Sequence, residues 1–166
     1  RIIGTTANQT FLSVIIPAHN EEKTICRTVE SLLNQDYPFF EIIIVDDGSD
    51  DNTGINFIDR FGLHQIEIVK KQCRLKHKPI VKIWAGICNN VNLFLIRKEN
   101  GGKGDALNAG IGFCHGEYFV CIDADCIIST DTLSCLTKVL CKDKNIVAVG
   151  GRVLPIAGLP DFFHKK

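Results

Sequence analysis

Methionine is missing from all 166 residues, tryptophan occurs once and tyrosine twice. A chain without an initiator methionine is expected to be a piece of something longer. The lack of any apolar run of the ~20 residues that a bilayer crossing needs therefore describes this piece and not a parent protein. No signal peptide is evident. Net charge is missing as well, because 19 Lys and Arg balance 19 Asp and Glu. That removes the electrostatic case for nucleic acid or for an acidic membrane surface. Eight cysteines are present, yet none stands in a CxxC pair and no zinc-ligand spacing appears. Cys26, Cys73, Cys88, Cys114, Cys121, Cys126, Cys135 and Cys141 are expected to be reduced, mostly buried thiols that pack as small hydrophobes in a cytosolic compartment. There is no internal repeat and no low-complexity tract. No Ser-His-Asp or Cys-His constellation suggests a nucleophile. His19 and His115 have no partner histidine at ligand spacing and read as structural or solvent-facing, and Trp84 reads as packing.

Hydrophobic residues make up 45 % of the chain, enough for one domain with a sizeable core. Apolar runs alternate with amphipathic ones. Leu12 to Ile16 reads as a buried strand ended by Pro17. Asn20 is expected to cap a helix that has Glu21 and Glu22 in its first turn and Ile25, Val29, Leu32 and Leu33 at helical spacing. Glu41 to Val45 is a second buried strand, and Asn52 to Phe61 a short helix closed by Gly62. Further strands are expected from Ile66, at Leu93–Ile96, at Tyr118–Ile122 and at Ile146–Val149. Asp105 opens a helix that carries Leu107, Ile111 and Cys114 on one face, and Thr130 to Leu140 forms another. Continuous apolar strands alternating with helices predict an α/β fold in three layers, a mostly parallel sheet flanked by helices. The whole chain, 1–166, reads as a single domain. Residues 70–92 form a basic insertion with Lys70, Lys71, Arg74, Lys76, His77, Lys78 and Lys82, expected to be a solvated excursion or hairpin, or else a basic flap near a diphosphate or a surface facing a partner.

Ligands in such folds sit beyond the carboxyl ends of the strands. The loops expected there are Pro17–Glu22, Asp46–Asp51, Glu99–Asp105 and Asp123–Cys126. In the last, alternate residues of an extended chain point the same way, so Asp123 and Asp125 can present their carboxylates side by side. Two adjacent anions are readily explained by a cation, and oxygen ligands suit Mg²⁺ or Mn²⁺ shared with a diphosphate. In the second loop an EF-hand starting at Asp47 would need Gly at position 52 and Glu at position 58, which are Asn52 and Ile58. One aspartate there is expected to cap the turn, and the other to accept a hydrogen bond from a ligand N–H such as the imide of uracil. Glu99-Asn100-Gly101-Gly102-Lys103-Gly104-Asp105 is neither a P-loop nor a dinucleotide fingerprint, since Gly104 follows the lysine and Leu107 replaces the last glycine. It still suits a diphosphate: glycines allow close backbone approach, Lys103 supplies a point charge, and a helix N-terminus follows.

In this order and spacing, Val14–Glu22, Glu41–Asn52, Glu99–Gly110, Gly116–Asp125 and Ala148–Gly151 resemble a family 2 glycosyltransferase with the GT-A, Rossmann-like nucleotide-diphospho-sugar transferase fold. The Glu-Asn-Gly-Gly-Lys-Gly-Asp-Ala-Leu-Asn run resembles processive membrane polysaccharide synthases of the poly-N-acetylglucosamine, chitin, hyaluronan or cellulose type. The resemblance implies that Pro17, Ala18, Asn20 and Glu21 border the nucleotide, that Asp47 reads uracil, and that Gly102 and Lys103 lie near the base and diphosphate. It implies that Asp123 and Asp125 are the DxD motif, with Asp125 on the metal and Asp123 on ribose or the metal shell. The implied reaction is an inverting transfer from a UDP-sugar, with UDP-N-acetylglucosamine the sugar donor suggested by resemblance alone, to a carbohydrate hydroxyl. The family's general base and its Gln/Arg-rich Trp motif have no match before Lys166. The sequence is thus expected to hold the donor half, to be truncated on the acceptor side, and to transfer sugar poorly alone. Its parent would sit at the cytoplasmic face of a membrane through segments absent here. Alternatives are a soluble family 2 transferase acting on a lipid or protein, and a non-catalytic nucleotide-sugar-binding module. A sugar nucleotidyltransferase ranks low, because Pro17-Ala18-His19-Asn20 is not the Gly-rich basic loop it would want.

Overall fold

Two strands at the centre of the sheet are apolar on both faces, and that fixes the architecture. The computed structural model describes residues 10–67, 75–143 and 145–154. In β1 (Leu12–Ala18) and β2 (Phe40–Asp46) every residue is buried except the half-buried Pro17. Strands without a polar face need cover on both sides, and they receive it. Val14, Ile16, Ile42 and Ile44 pack with Ile25, Val29 and Leu32 of α1 (Ile25–Leu33), Phe57 of α2 (Thr53–Phe61) and Leu133 of α4 (Thr132–Leu140). Ile15, Ile43 and Val45 pack on the opposite face with Ala106 and Ala109 of α3 (Lys103–Phe113). The result is the expected three layers.

The described sheet has six strands in the order β3-β4-β5-β2-β1-β6. β5 (Val91–Lys98), β2, β1 and β6 (Tyr118–Cys121) run parallel to one another. β4 (Ile80–Cys88) is antiparallel to both β5 and β3 (His64–Ile66), so the sheet is mixed at one edge. Parallel registry places the carboxyl ends of β1, β2 and β5 together: Ala18 pairs with Asp46, and Asp46 with Arg97. No helix among the described residues is long and apolar enough to cross a membrane.

Several expectations need correction. Asn20 does not cap α1. A turn closing on the Glu21 carbonyl intervenes, and Thr24 precedes the helix. The hairpin reading of the basic stretch holds for 80–92, where β4 turns into β5 through Asn89 and Asn90, both with positive φ. That geometry suits a tight hairpin turn. Lys70, Lys71, Arg74, Ile68, Val69 and Cys73 lie outside the described residues. Ile146–Val149 is not a strand: no described strand pairs with it, and Val147 is 90 % exposed. Its β-branched composition favours a strand only where a partner exists. The seven described cysteines are not mostly buried. Cys26, Cys88, Cys114 and Cys126 are half-buried, and Cys121, Cys135 and Cys141 are exposed, on an edge strand or on and after α4.

At the amino end of the strands, Ser13 and Glu41 form a buried polar knot. Ser13 Oγ donates to Glu41 Oε1 at 2.5 Å and accepts from the amides of His115 and Gly116 at 3.2 and 2.9 Å. His115 Nδ1 lies 3.0 Å from Glu41 Oε2, so this histidine is structural, as the sequence suggested. Ser13→Ala would leave the Gly116 amide short of an acceptor and take a donor from Glu41 Oε1, while the His115 amide keeps its bond to Glu41 Oε1 at 2.9 Å. We expect a loss of about 1–2 kcal/mol of stability, read as a lower urea midpoint with an unchanged slope.

Candidate functional site

The loops that leave the carboxyl ends of the parallel strands enclose a cavity of about 500 Å³. Pro17, Ala18, Glu21, Asp47, Gly102, Lys103, Asp123 and Asp125 all line it, together with His19, Asn100, Ala106 and Ala124. Of the residues singled out in the sequence, only Asn20 is not among them. It stands behind the wall with φ 58°, its amide donating to Ser49 Oγ at 3.0 Å and its Oδ1 accepting from Asp50 N at 2.9 Å. The first two loops are stitched together in this way, with Glu21 N donating to Thr53 Oγ1 at 2.7 Å and Glu22 N to Asp51 Oδ2 at 3.1 Å. The Glu21 carboxylate accepts from the Thr24 hydroxyl.

Asp46 takes the turn-capping role that the sequence expected of one aspartate in this loop. Asp46 Oδ1 accepts from Ser49 N at 2.8 Å and closes the turn. Asp47 reaches across to the glycine-rich loop, accepting from Gly102 N at 2.6 Å and from Gly101 N at 3.1 Å. These amides are therefore committed to a protein carboxylate and do not offer themselves to a diphosphate. Gly48 makes the crossing possible. Its φ is +69°, and a Cβ there would stand 2.9 Å from Asn100 N, so both the backbone conformation and the space exclude a side chain.

Asp123 and Asp125 lie past the end of β6, in a turn rather than in extended chain. The turn is pinned from below. Thr28 Oγ1 of α1 donates to the Ala124 carbonyl at 2.7 Å, and Cys126 N donates to Asp123 O at 3.1 Å. Ala124 is buried while both carboxylates are exposed and border the same cavity. Lys103, the first residue of α3, extends to Asp123 Oδ1 at 2.5 Å. That hydrogen bond holds the Lys103 ammonium above its ordinary range. Among the described residues no group of three or more His, Cys, Asp or Glu side chains is arranged to hold a metal. The acid pair offers two carboxylates, so a cation there would draw its remaining oxygens from a ligand or water.

Sequence reasoning missed Lys98. It is the last residue of β5, its side chain is fully buried, and its Nζ lies 2.5 Å from both Asp47 Oδ1 and Asp105 Oδ1. Burial works against this charge, but hydrogen bonds to Asp105 and Asp47 outweigh it and hold Lys98 above the usual lysine value. The same contacts, with the Lys78 amide, hold Asp105 below the usual carboxylate range against its own desolvation. His19, set aside in the sequence, borders the cavity with Nδ1 3.0 Å from the Asp47 carbonyl.

A three-layer α/β sheet whose strand ends gather an exposed acid pair, a lysine and a glycine-rich loop has the GT-A architecture. Two solved structures share the fold. The mannosyltransferase PcManGT from Pyrobaculum calidifontis, in complex with GDP-Man and Mn²⁺, superposes with a TM-score of 0.63 at 26 % identity over 82 % of this chain and 34 % of that one. S. aureus TarS 1–349, in complex with UDP-GlcNAc, does so with a TM-score of 0.60 at 26 % identity over 88 % and 37 %. The model of "Glycosyl transferase family 2" matches residues 13–166, and the chain belongs to that family. The poly-beta-1,6-N-acetyl-D-glucosamine synthase of Staphylococcus epidermidis is 30 % identical over 140 residues, which cover 84 % of this chain and 28 % of the synthase. The chain thus spans just over a quarter of that relative's length.

Proposed function

We propose that this chain is the donor-binding part of a glycosyltransferase that takes a UDP-sugar with a divalent cation and passes the sugar, with inversion, to a hydroxyl of a growing polysaccharide. One observation carries this reading: four loops from separate strands meet in one cavity, and Lys103 bonds across it to Asp123. Asp123 and Asp125 would hold Mg²⁺ or Mn²⁺, for they are hard oxygen donors that are exposed and leave coordination places to a diphosphate. When bound, the cation supplies Lewis-acid neutralisation of charge on the departing diphosphate. Lys103 adds a positive point charge at the same place. Asp47 accepts the imide N–H of uracil, and Pro17, Ala18 and Glu21 border the nucleoside. The acceptor hydroxyl attacks the anomeric carbon from the face opposite the leaving group. The base that takes its proton is assigned to none of these residues.

The sugar is best supported as N-acetylglucosamine, since both the TarS complex and the S. epidermidis synthase carry that unit in their names. We place the full-length protein at the cytoplasmic face of a membrane, on its likeness to a polysaccharide synthase. We expect the present chain alone to bind nucleotide weakly and to transfer sugar poorly. Calorimetry with UDP, with and without Mn²⁺, tests the donor site. The expected outcome is binding that tightens by about tenfold or more when Mn²⁺ is added. A folded sample that ignores UDP, or binds it equally well in the presence of a chelator, contradicts the proposal.

A further inference from the structure

Lys98 is costly to keep where it stands. A buried ammonium must be desolvated, and an apolar residue of similar volume is often no worse for stability. Its three donor protons are all used, by Asp47 Oδ1 and Asp105 Oδ1 at 2.5 Å and by the Glu99 carbonyl at 2.6 Å. What a lysine supplies here and an apolar residue could not is an ionised carboxylate held in one orientation at the wall of the cavity. Asp47 is that carboxylate. Lys98 holds its Oδ1, Gly102 N donates to Oδ2, and the Gly101 amide is shared between Oδ1 at 3.1 Å and Oδ2 at 3.2 Å. A carboxylate has about four acceptor positions and three donors reach this one, so capacity for one ligand donor is left, and Asp47 lines the cavity. Without the ammonium, Asp47 and Asp105 would repel each other at close range. One of them would then take a proton or swing away.

The geometry points to Lys98 as a positioning residue for base recognition: it fixes Asp47 as an anionic acceptor that distinguishes uracil, which presents an imide N–H, from cytosine, which presents a bare ring nitrogen at the same place. This rests on the nucleotide reading above. Lys98 itself touches no substrate.

The test compares UDP with CDP, each with Mn²⁺, on the full 166-residue chain by calorimetry. Wild type is expected to favour UDP by about tenfold or more, the range for a hydrogen bond to a charged group. Lys98→Met keeps the stem and removes the charge, and the preference should shrink to within about threefold. If that variant does not fold, Lys98→Met with Asp105→Asn relieves the repulsion, and the same loss of preference is expected. A role confined to stability would weaken both nucleotides equally and leave their ratio intact, which overturns the inference in either variant. Wild type binding UDP and CDP alike overturns it too, with the donor-site reading left standing. Wild type that binds no UDP overturns both.

Discussion

Replacing Asp125 by alanine removes the gain in UDP affinity that Mn²⁺ confers, so that the apparent Kd with saturating metal rises to its metal-free value. We expect a change on the order of 10- to 100-fold, and a fall in kcat of about 10³ when the substitution is placed in the full-length protein. The two carboxylates are not equivalent. Asp123 is bonded to Lys103 at 2.5 Å, whereas the side-chain contact shown for Asp125 is a weak one from Cys126 Sγ at 3.9 Å. Asp125 is thus the acid with more of its coordinating capacity open. It is also exposed, so its loss should leave the thermal midpoint within a few degrees of wild type. Asp123→Ala separates two effects. It also weakens the metal response, but it frees Lys103, and metal-free UDP binding should equal or exceed that of wild type. An Asp125→Ala protein that still tightens on UDP when Mn²⁺ is added would remove the acid pair from the metal site.

Most of this site was legible in the sequence because its parts are loops after apolar strands. The runs Leu12–Ile16 and Glu41–Val45 announce buried parallel strands, and parallel strands put their exit loops at one edge. Asp123, Asp125, Lys103 and Asp47 could be gathered from that rule alone. Lys98 could not. In sequence it is one more cation beside Arg97, and nothing local separates a buried ammonium from a solvated one. Its signal was positional, at the end of a strand and directly ahead of the Glu-Asn-Gly-Gly turn. The bonds that the Gly101 and Gly102 amides make to Asp47 were hidden for a related reason. A glycine-rich turn before a helix advertises free N–H groups, but which acceptor claims them depends on Asp47, more than fifty residues away. Strand β4 was obscured by the charge around it, since Lys76, His77, Lys78 and Lys82 drew the stretch toward a solvated excursion. At Ile146–Val149 the failure ran the other way, because apolar composition suggested a strand for which the described sheet holds no partner.

Gly116→Ala should be among the most destabilising single-methyl additions in the chain, although it lies at the end of the sheet opposite the cavity. A Cβ there would stand 2.6 Å from Phe11 O, 2.8 Å from Ser13 N and 2.9 Å from Leu12 C. All three are backbone atoms at the start of β1, and they cannot turn aside as a side-chain end would. Moving them means breaking the pairing of Leu12 with Tyr118 and Ser13 with Phe119, or losing the bond from Gly116 N to Ser13 Oγ. We expect a cost of about 3 kcal/mol, the upper part of the range for overpacking, and a fall in thermal midpoint of roughly 6–12 °C for a domain of this size. β6 begins two residues later and leads directly to Asp123 and Asp125. If the variant relaxes by sliding β6 along β1, the acid pair moves with it. Mn²⁺-dependent UDP binding should then weaken in the folded fraction, even though position 116 touches no ligand. A midpoint within 2 °C of wild type would mean that this junction gives way locally, and the link from Ser13 through β6 to the acid pair would fail with it.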